Sequence, residues 1–323
     1  MKNMVEDPGV MALGLFALAA FLVVGALAAV LGRNAGVDDE AIPFHSDDAA
    51  VDSVASSSSE SVVPLGLLPR AILESSGIAR SGRSQDIWWT HNDGPDGRMF
   101  AVSPQGELLG TWQLRGVQIT DIEDIASAPC PGDRSSPCLY VADTGDNRQN
   151  RPEYAVHVVK EPEITGAAAA AGVLESVAVQ RFTYGGRSRD AEALAVLHDG
   201  SMMVITKGQD GGAELFRLPA PRAAQSAVVT AESLGMLPID VDRKSARVTA
   251  AALSPSGSRL AVRSDRDVML FELPQRRLIT RCNFAGAGQQ GEGVDFVDET
   301  TLMLTFEADA NGRAPIVRAR CGA

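Results

Sequence analysis

The chain has 323 residues, 45% of them hydrophobic, four cysteines and a formal net charge of −12. Such a length and apolar content can bury a large core. The acidic balance argues against a surface that grips a phosphate backbone, and so against a nucleic-acid partner.

Taken in chain order, the first feature is Val10 to Leu31, 22 residues without a charge or a proline. At ~1.5 Å per residue such a helix crosses a ~30 Å hydrocarbon layer. Residues 1–33 therefore read as a single-pass membrane anchor. The alternative is a signal peptide cleaved near Ala26-Leu27-Ala28, after which the protein is secreted. Against cleavage, Lys2 is offset by Glu6 and Asp7, and the apolar run is longer than a signal peptide needs. Residues 34–65 follow as a polar tether with Ser56-Ser57-Ser58-Ser59 and seven acids (Asp38, Asp39, Glu40, Asp47, Asp48, Asp52, Glu60) against no lysine or arginine. A segment so poor in apolar residues cannot repay the entropy of ordering. It holds seven of the twelve net negative charges, which leaves the globular part, residues 66–323, only mildly acidic.

From residue 62 onward, apolar runs of four to seven residues alternate with Gly, Pro, Asp and Asn turns, which is an all-β pattern. Only residues 167–171 lean towards helix. After a spare strand at 62–68, the predicted strands fall into groups of four: 74–79, 86–90, 98–103 and 107–114; 121–126, 139–143, 154–160 and 176–184; 191–197, 202–207, 214–218 and 228–237; 248–254, 259–263, 267–273 and 277–283. A last group, 292–296, 301–306 and 315–321, lacks its outer strand. Groups of four with a recurring first strand predict a β-propeller of five blades, closed by the spare N-terminal strand completing the last blade. Six blades is the alternative if the long step from Glu123 to Glu192 hides another, and a β-sandwich is the alternative to a propeller.

The first strands recur as Ser76-Gly77-Ile78-Ala79, Asp121-Ile122-Glu123-Asp124-Ile125-Ala126, Asp190-Ala191-Glu192-Ala193-Leu194-Ala195, the acid-free Ala251-Ala252-Leu253-Ser254, and Gly291-Glu292-Gly293-Val294-Asp295-Phe296. Acids are depleted in strands unless solvent, a cation or chemistry uses them. In a propeller the first strands line the central channel, so Glu123, Glu192 and Glu292 converge at its mouth. The second strands end there on Asn92 and Asp93, Asp143, Lys207, Arg263 and Glu307. Oxygen donors at this density, with Asp143-Thr144-Gly145-Asp146-Asn147 beside them, suit a hard cation such as calcium. The candidate metal residues are thus Glu123, Asp143, Asp146, Asn147 and Glu192. Asn92, Asp93, Lys207, Arg263, Glu292 and Glu307 are candidates for holding a ligand, with Lys207 and Arg263 facing an anionic group. Simple pairing of acids with bases across the channel remains the competing explanation.

Cys130 and Cys138 bracket a Pro- and Gly-containing loop and are placed to pair, and Cys282 and Cys321 then pair by elimination; four free thiols is the alternative. Two disulfides would put the domain outside the cytoplasm. Gly286-Ala287-Gly288-Gln289-Gln290-Gly291 matches a dinucleotide-binding pattern but leads into a strand, so no helix N-terminus waits for a pyrophosphate. Trp88 and Trp89 alternate faces of a second strand, one expected between blades and the other exposed or under a loop.

Glu74-Ser75-Ser76-Gly77-Ile78-Ala79, Trp89-Thr90-His91-Asn92-Asp93, the Asp121–Ala126 strand, Tyr140-Val141-Ala142-Asp143-Thr144-Gly145-Asp146-Asn147 and Asp190-Ala191-Glu192-Ala193-Leu194 resemble a group of exported bacterial β-propeller proteins with no assigned activity. The resemblance covers roughly residues 66 to 310. That group is more distantly similar to esterase-like phytase and gluconolactonase-type propellers, which implies a metal or phosphoester site at the channel mouth. The acid-free fourth repeat departs from a complete acidic ring. Together these features predict a monomeric, membrane-tethered, extracytoplasmic propeller that serves as a recognition module for a small anionic ligand or a protein, or as a scaffold, with a calcium site at its mouth. The second reading is a metal-dependent hydrolase of phosphoesters or lactones.

Overall fold

Strands buried on both faces need unbroken apolar runs, and strands at the periphery need only alternate, which is how the burial of this chain is distributed. The computed structural model describes residues 61–166, 169–222 and 227–322. No helix of the described residues is long and apolar enough to cross a membrane. The predicted anchor at 10–31 and tether residues 34–60 lie outside the described residues.

The chain begins with β1 (Ser61–Leu67), then a first meander of β2 (Ser75–Arg80), β3 (Trp88–Asn92), β4 (Arg98–Val102) and β5 (Leu108–Arg115). The second meander is β6 (Ile122–Cys130), β7 (Asp133–Asp143), β8 (Tyr154–Lys160) and β9 (Ala170–Thr183). The third is β10 (Ala191–Val196), β11 (Met202–Thr206), β12 (Glu214–Leu218), the two-residue β13 (Val229–Thr230) and β14 (Glu232–Met236). A fourth comprises β15 (Val248–Leu253), β16 (Arg259–Ser264), β17 (Asp267–Glu272) and β18 (Arg277–Asn283). The last is β19 (Gly291–Phe296), β20 (Thr301–Phe306) and β21 (Pro315–Arg320), with β1 as its fourth strand.

Each first strand packs against the next, β2 on β6, β6 on β10, β10 on β15, β15 on β19 and β19 back on β2, so the inner strands form a closed ring. The apolar core is correspondingly split into wedges between neighbouring meanders. Trp88 and Trp89 are both buried, in different wedges: Trp88 packs with Ile78, Phe100 and Ile316, and Trp89 meets Trp112 edge to face with centroids 5.0 Å apart. Neither indole is exposed, because a second strand has a neighbouring meander on each side.

Two features depart from the sequence pattern. Ala170 and Ala171, expected to lean helical, begin β9, whose first half pairs in parallel with β5 from Gly110–Ala170 to Arg115–Glu175. The first and second meanders therefore share one continuous sheet. The strand expected at 228–237 is split, since Val229 and Thr230 pair with Phe182 and Thr183 of β9 before β14 joins β12. Both disulfides form as expected, Cys130–Cys138 within the β6–β7 hairpin and Cys282–Cys321 between the fourth and fifth meanders. Each restricts the unfolded chain by roughly 2–4 kcal/mol in the loop-entropy picture.

The β1–β21 pairing, from Ser61–Arg320 to Leu67–Pro315, covers what would otherwise be an open edge. A chain lacking residues 1–67 is expected to lose on the order of 3 kcal/mol in ladder hydrogen bonds and to melt ~10 °C below a chain beginning at Ala55, with concentration-dependent aggregation. Circular dichroism melts and light scattering check this; equal melting of the two chains would show that β1 does not hold the ring.

Candidate functional site

Every first strand carries a register shift at its start: between Ser75 and Ile78 in β2, Ile122 and Asp124 in β6, Ala191 and Ala193 in β10, Val248 and Ala250 in β15, and Gly291 and Val294 in β19. A β-bulge inserts an unpaired residue and re-aims its side chain. The inserted positions include Ser76, Glu123, Glu192, Thr249 and Glu292, so one bulge repeated around the ring sets a collar of three glutamates and two hydroxyls. The hydroxyl members hold the collar together: Ser76 Oγ donates to the Glu123 carbonyl at 2.6 Å and Thr249 Oγ1 to the Glu292 carbonyl at 3.2 Å. The fourth-repeat equivalent is thus Thr249 rather than Ala251, which lies two residues farther along β15. Sequence similarity aligned the apolar residues and slid past the bulge.

Two carboxylate triads share Glu123. Its carboxylate lies with those of Asp93 and Asp121 on one side and of Asp190 and Glu192 on the other, each triad bringing one oxygen from each residue within 4.8 Å of the others. Glu123, Asp190 and Glu192 are buried, Asp121 is half-buried and Asp93 exposed. Lys207 Nζ pairs with Glu192 and stands 3.7 Å from Asp190 and 3.5 Å from Asn147 Oδ1. Asp190 also accepts from Asp146 N at 2.7 Å and from the Gln209 amide. Gly145 closes over the triads: a Cβ there would run into the carboxylates of Glu123 and Asp121. A carboxylate cradle at that spacing leaves room for glycine alone.

Burial dominates the electrostatics. It pushes the Glu123 carboxyl well above its ordinary range, with the charges of Glu192, Asp93 and Asp121 adding to it and Lys207 opposing. Glu192 is raised to about 7 by burial, against Lys207, and Asp190 is raised for the same reason. Asp121 reaches about 6 through burial and the Asp93 and Asp190 charges.

The other sequence candidates serve the framework. The Asp143 carboxylate accepts from Asp121 N at 2.8 Å and Thr120 N at 3.2 Å and pairs with Arg151 at 3.0 Å. Burial works to raise its pKa, but neighbouring His157, Arg151 and the Asp121 N–H outweigh it, so Asp143 stays ionised. Asp146 accepts from Asn150 N, Arg151 N and Tyr154 Oη at 2.8–3.0 Å, folding the loop that carries Gly145. Neither Asp143 nor Asp146 joins the triads, contrary to the oxygen-rich look of their segment. Asn92 pins the chain before β2, accepting from Glu74 N and donating to Ala71 O. Arg263, expected to face an anionic ligand, is buried; its guanidinium donates to the Gly293 carbonyl and lies 4.5 Å from the Phe306 ring centre. Burial lowers its pKa to about 9. Glu292 is buried and raised by burial, and Gln290 Nε2 donates to it at 2.6 Å and to Glu307 at 3.0 Å.

Asp121 and Asp190 were not among the sequence candidates. The signal was present as Asp-Ile-Glu and Asp-Ala-Glu, two acids flanking one apolar residue at the start of β6 and of β10.

No family model and no curated protein matches the chain. Among solved structures it is similar to the PQQ-bound form of an aldose sugar dehydrogenase from Streptomyces coelicolor, with a TM-score of 0.50 and 12% identity over 81% of this chain and 98% of that one. At such identity the likeness speaks for the fold alone, and that fold is of the β-propeller type.

Proposed function

We propose that the protein is a five-bladed propeller, one blade for each meander, acting as an extracytoplasmic ligand-recognition module whose mouth takes up a divalent cation, calcium by preference. The observation that supports it is the excess of carboxylate, three of the five groups buried: Asp93, Asp121, Glu123, Asp190 and Glu192 gather around one another with the ammonium of Lys207 against them. Such a cluster must be relieved by protons or by a cation. All donors in it are oxygens, which suits a hard cation and disfavours zinc or copper. The outer lobe, Asp93 and Asp121, is open to solvent and gives the ion a route in. The two disulfides fit an oxidising compartment. The apolar segment at 10–31 would anchor the domain to a membrane through its acidic tether, as a monomer.

A metal-dependent hydrolase of phosphoesters or lactones would use the same carboxylates. It lacks its anion clamp, since Arg263 is occupied by Gly293 and Phe306 and Lys207 by Glu192. Recognition is therefore the better-supported reading.

Calcium at a hundredfold excess over its dissociation constant is expected to stabilise the full chain by about 2.7 kcal/mol at pH 7.5, with the shift reversed by chelator. Glu123→Gln combined with Asp190→Asn should abolish that shift. A parent melt indifferent to both calcium and chelator refutes the cation reading, and magnesium, manganese and zinc in parallel test the preference.

A further inference from the structure

The wedge between the first and second meanders opens into a cleft of about 790 Å³, bounded by the β5–β6 connection and by one face of β8 and β9. Its walls include Val117 and Val177, the latter 42% exposed. His157 of β8 belongs to its lining and is itself only 3% exposed. Neither ring nitrogen of His157 has a hydrogen-bond partner; Nε2 faces Asp143 Oδ2 at 3.8 Å, near enough to help keep that carboxylate ionised but too far to complete a hydrogen bond. A buried imidazole left in this state is destabilising, and its neighbours on the same face, Val141 and Val159, show that an apolar side chain is accommodated there. A histidine kept at that cost points to a partner that supplies the missing bond.

The charges around the cleft define that partner. Asp143 is neutralised by Arg151, and Glu153 by Arg181. A charged ligand would lose its hydration without gaining a counter-ion. The valine walls offer apolar surface to a body of matching character. We propose that this cleft binds a neutral small molecule with an apolar body and one hydroxyl head, the head hydrogen-bonding to the His157 imidazole. Binding needs a small shift of the ring towards the cleft, of the kind ordinary side-chain adjustment provides. The cleft adjoins the carboxylate mouth through Thr120 and Asp143 but is lined by none of the triad carboxylates, so binding there does not depend on a cation.

Phenol is the probe, with toluene lacking the hydroxyl and benzoate carrying a charge. Full-length protein in detergent is titrated with each while the His157 ring nitrogens are followed by long-range ¹H–¹⁵N spectra, assigned by comparison with His157→Phe. Phenol is expected to move those resonances saturably, with toluene and benzoate at least tenfold weaker. His157→Phe should erase the preference for phenol over toluene while leaving the calcium-dependent melting shift intact. Val177→Glu, on the exposed wall, should weaken phenol at least tenfold and keeps the test decisive if His157→Phe fails to fold. Unmoved His157 nitrogens, equal responses to all three probes, or phenol binding untouched by Val177→Glu overturns the assignment.

Discussion

Asp124→Ala is expected to lower the melting temperature by about 12 °C, taking roughly 2–4 °C per kcal/mol for a domain of this size. Asp124 follows the bulged Glu123 and points the opposite way, into the protein. Its Oδ2 accepts from Leu194 N at 2.8 Å and Ala251 N at 3.1 Å, and Oδ1 from Ile125 N at 2.8 Å. One carboxylate thereby joins the inner strands β6, β10 and β15. Alanine would leave two amides of other strands buried without acceptors, at roughly 1–3 kcal/mol each. Asp124→Asn keeps one carbonyl oxygen for those amides and should cost about half as much. Asp295 of β19 makes a smaller link of this kind to its neighbouring inner strand β2, accepting from Arg80 N at 2.7 Å, and so provides a second test of carboxylate-to-amide joining between inner strands. Gly77 covers Asp124 so closely that a Cβ would come within 2.6 Å of Oδ1, which predicts that Gly77→Ala is also destabilising. A melt of Asp124→Ala within 3 °C of the parent, by calorimetry, would mean that the ring closes without this link.

Without divalent cations, the protein is expected to be more stable near pH 5 than near pH 8, by about 10 °C in melting temperature. Glu123, Asp190, Glu192 and Glu292 have folded pKa values above their ordinary ones, and Asp121 and Asp295 are raised to about 6. For an acid whose folded pKa is raised, the unfolded chain gives up its proton first. Between the ordinary carboxylate value and the raised one, each rise in pH therefore favours unfolding. The window opens at the ordinary values, 3.8 for the aspartates and 4.5 for the glutamates, and reaches at least to about 7, where Glu192 lies, with Glu123 and Glu292 also raised well above the ordinary value. Further acidification reverses the trend, because Asp143 is depressed by its partners, and Asp133 and Asp309 lie at about 2, held there by hydrogen bonds to Ser135 and to Arg313. Those groups lose their stabilising charge only in strong acid. Calcium at the mouth should act in the opposite sense, raising the melting temperature at pH 8 and much less at pH 5, where protons compete for Asp121 and Glu192. Scanning calorimetry from pH 4.5 to 8 with and without chelator measures both effects. A flat profile in chelator would remove the electrostatic argument for the site.

Much of the architecture is legible in the chain. Strands such as β11 and β20 are buried throughout, so their segments are apolar apart from threonine, and the turns between strands are marked by residues that tolerate tight backbone, as at Gly200 with φ +84°. β1 and the Cys130–Cys138 pair were readable because an unpartnered strand and a closely spaced cysteine pair each have few places to go, and Cys282–Cys321 followed by elimination. The acids of the site were readable as acids out of place in strands. Their division of labour was not.

By itself, then, the sequence determined an all-β chain of repeated four-strand units, its closing strand, its disulfide partners, and a concentration of carboxylate on the first strands. Those properties follow from local periodicity and residue type. Only the tertiary structure decided that a bulge turns Ser76, Glu123, Glu192, Thr249 and Glu292 into one collar, because a bulge is a property of pairing between strands and leaves no periodic trace. It likewise decided that Asp121 and Asp190 join Glu123 while Asp143, Asp146 and Arg263 are spent on backbone and neighbouring side chains. A charged residue's role is set by which partners reach it first in space, and those partners come from segments that the chain order keeps apart.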